Sequence, residues 1–230
     1  MEEADLIAKY PRLWHMAHDG GWPAIRDNGL KSASALLDDY KVTGDRRRQL
    51  ESMRRPESVP LQAVGLPGAV IRDQKPMSDA KLAACLQDGL TTEDWYELLN
   101  SRTFFWLSQL RIWKLLKARA YRNLKQTVLT VDTASIVAAH KKKIWLSSLN
   151  SGATLFRAQP RGRGTFSRIK EFPFEARSKS RSLENNVVEL LVEEAVPDIE
   201  MHVLAVHTVQ GDKILNEIWR SPRATDNDHP

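Results

Sequence analysis

The 230-residue chain is 42% hydrophobic and 27% charged, with a formal net charge of +5, seven tryptophans and one cysteine. That is enough apolar material for one sizeable core, while no run approaches the roughly 20 apolar residues that a membrane-spanning helix needs. The lone Cys85 excludes an internal disulfide framework and a cysteine-based zinc site, and the opening MEEADLIAKYPRLWHM lacks the apolar segment of a secretory signal. The expectation is a single domain in a reducing cytoplasm, with no membrane partner.

In chain order, Leu13–Met16 reads as a strand, Asp19-Gly20-Gly21 as a turn and Trp22–Asn28 as a short helix. Pro23 suits its first turn and Gly29 a left-handed cap at its end. Ser32–Leu37 and Asp45–Arg54 look helical, and Ala69–Ile71 is a short strand among Pro- and Gly-rich loops. Ser78–Gln87 and Thr92–Asn100 read as helices capped by Ser78 and by Thr91 or Thr92. Arg102–Leu107 (RTFFWL) is apolar enough for a buried strand, followed by a helix to about Ala120. Thr127–Val131 is a β-branched strand, Asp132 or Thr133 caps a helix to His140, and Ile144–Leu146 is a strand. Residues 157–184 mix Arg, Gly, Ser and Pro without a period and read as one long basic loop. Strands return at Val187–Val192, Met201–Val209 and Ile214–Trp219. Strands early and late with helices between them argue for an α+β fold, with a helical insertion at about 31–100.

The pI near 9.3 reflects clustered base, at Arg46-Arg47-Arg48, Arg54-Arg55, Lys141-Lys142-Lys143 and along 157–184. In that last stretch Arg157, Arg161, Arg163 and Arg168 are candidate phosphate contacts of a nucleic acid. The same residues also read as a solvated face.

Two residues stand out as chemistry. His15 sits on an apolar strand, where a histidine is either a ligand contact or a structural residue bonded to backbone. Glu189 lies inside VVELLV, and a carboxylate buried there needs a partner or a task; on an edge strand it would simply face water. His18, three residues after His15, points to the opposite face of a strand, so the two are not a metal pair. No HExxH or comparable spacing exists, and no metal centre is expected. Nucleophile elbow, Walker loop and Rossmann fingerprint are also missing, and Gly162-Arg163-Gly164 lacks the flanking strand and helix of a phosphate cradle.

The segment LWHMAHDGGWPAIRDNGL (Leu13–Leu30) resembles the opening motif of DarT-type DNA ADP-ribosyltransferase toxins and of RNA 2′-phosphotransferases, with a strand-borne histidine and a helix ending in Gly-Leu. VVELLVEEAVPDIEMHVLAVHTV (Val187–Val209) is similar to the DarT ending, where a catalytic glutamate opens a strand and a Val-Pro turn precedes the next. Phe104–Leu107 and Val128–Leu146 resemble the aromatic and middle strands of that fold. The resemblance implies an ADP-ribosyltransferase-like split β-sheet core with helical insertions, gripping NAD as co-substrate in its cleft. It implies cofactor contacts at His15, Ala17, Gly29, Leu30, Phe105 and Arg119, and catalytic roles for Glu189 and Arg72. Glu189 would stabilise the oxocarbenium-like transition state.

The chain departs from the pattern at Ala17, where DarT-like proteins often carry threonine. The pyrophosphate-binding arginine falls to Arg72, Arg111 or Arg119. Asn150-Ser151-Gly152 would line the cleft or form an ordinary turn. The expected activity is therefore ADP-ribosyl transfer to a nucleic acid, DNA or RNA, with a DNA base foremost. A protein acceptor, a 2′-phosphorylated RNA or plain NAD hydrolysis would fit the same cleft. Two other classes remain: a non-catalytic nucleic-acid-binding domain that retains the fold, and a protein whose basic loop contacts an acidic partner.

Overall fold

A computed structural model describes residues 1–230. The chain begins with α1 (Glu3–Lys9), β1 (Arg12–His18), α2 (Trp22–Asn28) and the two-residue β2 (Leu30–Lys31). Next come α3 (Ala33–Asp39), α4 (Gly44–Glu51), the hairpin of β3 (Val59–Leu61) and β4 (Ala69–Ile71), α5 (Asp79–Ala83) and α6 (Thr92–Asn100). The middle holds β5 (Arg102–Trp106), α7 (Gln109–Leu116), β6 (Lys125–Asp132), α8 (Thr133–His140) and β7 (Ile144–Ser147). After β8 (Phe166–Ser167), α9 (Phe174–Ser178) and α10 (Leu183–Asn186), the chain closes with β9 (Glu189–Glu193), β10 (Ala195–Val196), β11 (Val203–Gln210) and β12 (Lys213–Arg220). The fold is mixed α+β, and no helix is long and apolar enough to cross a membrane.

Eight strands form one antiparallel sheet in the order β12-β11-β6-β1-β5-β9-β7-β8. Its middle is its weakest seam. β1 faces β6 at seven positions and β5 faces β9 at five, but β1 and β5 meet only at Trp14 opposite Trp106. The sheet therefore divides into two four-stranded halves that diverge on either side of that pair.

Strand alternation distributes the core. Leu13 and Ala17 of β1, Leu129 and Val131 of β6, and Leu190 and Val192 of β9 share one buried cluster with Leu6 of α1 and Ile136 and Val137 of α8. The alternate residues face the other side. There Trp14, Met16 and Val128 pack on Ile112 and Leu116 of α7 over one half, while Leu191 packs with Leu82, Trp95 and Tyr96 of α5 and α6 over the other. Local signals fix the helix starts. Thr91 and Asp94 form a capping box on α6, and Ser32 and Asp132 cap α3 and α8 through Ala35 N–H and Ser135 N–H. Each such cap is worth about 1 kcal/mol.

Among the departures from the sequence reading, three concern the elements around the cleft and the basic stretch. The helix expected over Ser78–Gln87 stops at Ala83, because Cys85 and Gln87 bond the backbone of Arg161 instead. Gly29 ends α2 with a positive φ of +84°, but its ψ of 159° is extended rather than helical. The chain passes directly into β2, which pairs with β10. Residues 157–184 are not a long loop. They contain β8, α9, α10 and two short 3₁₀ turns, fastened by the buried Phe166, Ile169, Phe172 and Phe174. An aromatic residue every few positions gives that basic stretch enough apolar area to dock, at roughly 1.5–3 kcal/mol for a fully buried large side chain.

Candidate functional site

Where the two half-sheets part, a cavity of about 500 Å³ opens. His15–Gly21 from β1 and its turn, Gly29 and Leu30, and Phe104–Trp106 of β5 line it, together with Arg72, Tyr121, Asn150, Gly152 and Glu189. The far wall comes from residues 31–40 and 66–76 of the insertion. The two ends of the chain, distant in sequence, thus face one space.

Glu189 opens β9 opposite Trp106 and Ser147 and is 3% exposed. Its carboxylate is held by a single residue. Ser151 Oγ donates to Oε2 at 2.7 Å, and Ser151 N–H lies 3.2 Å from both oxygens. Burial raises the Glu189 pKa to about 7, although Ser151 and the charges of Arg111 and Arg161 oppose the rise. The carboxylate is therefore fixed in direction yet poised between its two protonation states at neutral pH.

His15 is half-buried on the other half-sheet, with its ring 5.7 Å from that of Phe105. Its Nδ1 lies 2.7 Å from the Phe104 carbonyl oxygen. A carbonyl only accepts, so Nδ1 carries the proton and Nε2 offers a lone pair. Burial lowers the His15 pKa to about 4, against the effect of that hydrogen bond, and the ring is neutral. His15 is thus both bonded to backbone and available to a ligand.

Arg72 follows β4. All its side-chain hydrogen bonds run through Nη1, to Gln126 Oε1 at 2.8 Å and to the Met16 and Ala17 carbonyls at 3.4 Å. Its guanidinium lies 5.4 Å from the Tyr121 ring, and Tyr121 donates to Asp73 at 2.7 Å. Of the three arginines considered from sequence, only Arg72 lines the cavity. Arg111 donates to the Glu184 carbonyl and to Asn185, both at 2.7 Å. Arg119 is exposed in the turn after α7 and does not border the space, which removes it from the expected cofactor contacts. Ala17, Gly29, Leu30 and Phe105 do border it.

The basic candidates separate. Arg161 is 2% exposed and cannot reach a polyanion, a correction to its expected role. Its Nη1 donates to the Ser151 carbonyl at 2.9 Å and its Nη2 to the Ala153 carbonyl at 3.1 Å, with Trp95 beneath at 5.8 Å. It braces the turn that holds Glu189. Arg168 stacks on Trp145 at 3.8 Å and bonds Glu193 at 3.1 Å and the Lys142 carbonyl at 2.8 Å, so most of its donors are already engaged. Arg157 and Arg163 are exposed.

The sequence gives Ser151 no role beyond that of a turn or cleft-lining residue in Asn150-Ser151-Gly152, and the structure makes it the partner of Glu189. Sequence reasoning also missed Tyr121 and the insertion's wall. Arg102 likewise lines the cavity, but its guanidinium is sandwiched 5.2 Å from the Trp145 ring and 4.7 Å from that of Phe166.

A protein-family model described as "Family of unknown function (DUF7002)" matches residues 11–203. The chain belongs to the DUF7002 family. The DUF7002 match begins one residue before β1 and ends at the first residue of β11, so it contains His15, Arg72, Ser151 and Glu189 together. No curated protein matches the chain.

Proposed function

We propose that the chain is an NAD-dependent ADP-ribosyltransferase acting on a nucleic acid, with a DNA base as the leading acceptor and with the split-sheet core as its ADP-ribosyltransferase-like fold. The observation that carries this reading is the meeting of His15 and Glu189, one from each half-sheet, across a single cavity. Its volume, about 500 Å³, lies within the range of small-molecule sites. The residues fit the co-substrate. Arg72 leaves Nε and Nη2 without protein acceptors, as a pyrophosphate requires. Phe104 and Trp106, the half-buried aromatic residues of β5, supply aromatic surface at the cavity wall for planar rings. His15 Nε2, an acceptor, suits a ribose hydroxyl.

Glu189 would act in the step where nicotinamide departs and positive charge develops on the ribose. A carboxylate already aimed by Ser151 needs no reorganisation to stabilise that charge. The positive nicotinamide ring also favours the ionised carboxylate, shifting a group with a pKa of about 7 toward its working form. The nucleic-acid acceptor is supported by the tip that follows Ser151. Phe156 is 93% exposed and sits next to the exposed Arg157, a pairing of aromatic face and cation that suits an unstacked base. Thr154 and Leu155 hang by their N–H groups on the Pro76 carbonyl, and Pro76 borders the cavity.

The test is incubation with labelled NAD, alone and with single-stranded DNA, duplex DNA and RNA. Label on one polymer is expected, lost by ~100-fold or more in Glu189→Gln, the scale of removing one electrostatic stabiliser. The kcat/KM for NAD should rise with pH through about 7 as Glu189 of the free protein ionises. Unchanged turnover in Glu189→Gln removes that residue from the chemistry. Nucleic-acid binding without any NAD binding or nicotinamide release would instead establish a non-catalytic binding domain.

A further inference from the structure

Away from the cleft, three side chains converge for which neither the motifs nor the proposed chemistry accounts. His140 is the last residue of α8, and Asp198 and His202 flank the 3₁₀ turn Ile199–Met201 between β10 and β11. One nitrogen or oxygen from each lies within 4.8 Å of the others. His140 Nε2 is 2.6 Å from Asp198 Oδ1, His202 Nε2 is 3.2 Å from Asp198 Oδ2, and the two rings meet edge to face at 5.4 Å.

One buried polar atom of this cluster has no hydrogen-bond partner. When Ser135 Oγ gives its only hydrogen to the Asp132 carbonyl at 3.2 Å, the 3.0 Å contact with His202 Nδ1 is donated by Nδ1. A neutral His202 then directs the Nε2 lone pair at a carboxylate oxygen. Nε2 is buried and has no hydrogen-bond partner, on a residue 4% exposed. Two lone-pair donors face each other across a gap that a cation would fill.

The geometry points to a divalent-metal site of zinc type, with His140, Asp198 and His202 as ligands and water in a fourth position. Two imidazoles and a carboxylate form a donor set for Zn²⁺, whose bonds of about 2.0–2.2 Å place tetrahedral ligands roughly 3.3 Å apart. The contact with His202 already has that spacing, and the one with His140 must open by roughly 0.7 Å as its Nε2 proton leaves. The Ser135 contact to His202 Nδ1 is the outer-shell hydrogen bond that fixes a ligating imidazole. Half-buried Asp198 leaves an approach from solvent. The ion would fasten α8 to the turn whose Pro197 backs Gly29 of the cleft, a structural role apart from the transfer chemistry.

The experiment uses the untagged full chain, freed of metal with a chelator and titrated with Co²⁺ and then Zn²⁺. One equivalent should bind, with the visible absorption of tetrahedral Co²⁺ bleached by Zn²⁺, and the thermal midpoint should rise with bound metal. His202→Gln and Asp198→Asn should each weaken binding by at least ~10-fold, given that loss of an outer-shell partner alone costs that much. His18→Ala should leave it intact. If His202→Gln does not fold without metal, Asp198→Asn decides the matter, because Asp198 is only half-buried and the change keeps its shape. No saturable binding by the wild type, or equal binding by Asp198→Asn, overturns the site.

Discussion

Replacing Glu189 by glutamine should make the protein more stable, by an amount that depends on pH. Burial raises the Glu189 pKa from 4.5 to about 7. Below pH 4.5 the group is protonated in both the folded and unfolded chains, and the full stability is present. Between 4.5 and 7 the unfolded chain ionises while the folded one resists, so stability falls with rising pH until the folded carboxyl ionises as well. The shift of roughly 2.5 units, at 1.36 kcal/mol each, corresponds to about 3 kcal/mol lost above pH 7. Glutamine keeps an acceptor for Ser151 Oγ and carries no charge, so it escapes that loss. Urea denaturation of both proteins from pH 4.5 to 8 should give curves that coincide at the acid end and separate by about 3 kcal/mol at pH 8. Taking the difference cancels every other titrating group. A difference that does not change with pH would refute the reasoning, because a buried, destabilised carboxylate cannot produce one.

Gly29→Ala would place a Cβ 2.7 Å from Pro197 Cα at a φ of +84°. It should cost more than about 1 kcal/mol, visible as a lowered thermal midpoint; a neutral result would mean the β2–β10 junction yields freely. Arg157→Gln with Arg163→Gln should reduce the log–log salt slope of nucleic-acid binding by about 1.4 on single strands, two phosphate contacts at roughly 0.7 each. Arg161→Gln should leave that slope alone while lowering turnover, since Arg161 supports the Ser151 turn and not a phosphate. The opposite pattern would return Arg161 to the surface.

Much of the fold was legible where one period dominates. β1, β6 and β9 are β-branched or apolar runs, and Thr91, Ser32 and Asp132 announce helix starts within a residue or two. The limits lay where distant backbone decides. α5 is cut short by a strand-like bridge to Arg161, a partner 75 residues after Leu86 in the chain, and no local propensity records that. The 157–184 stretch reads as loop by charge and Gly content, while its phenylalanines, too irregular for any period, dock it. The two site residues were visible because each breaks its own pattern: a carboxylate within VVELLV and an imidazole on an apolar strand. Ser151 was harder to see. Its function depends on a carboxylate 38 residues away, and a serine in an Asn-Ser-Gly turn looks like any other.

The lone Trp14–Trp106 contact gives the molecule a mechanical character. Within each half, neighbouring strands pair over two to seven residues, whereas the two halves share a single residue pair, so the backbone resists separation least at that seam. Two indoles, Trp14 buried and Trp106 half-buried, form that contact. His15 Nδ1 reaches across that seam to the Phe104 carbonyl of β5, so the imidazole is tied to both halves, and parting them would break the hydrogen bond that sets its tautomer.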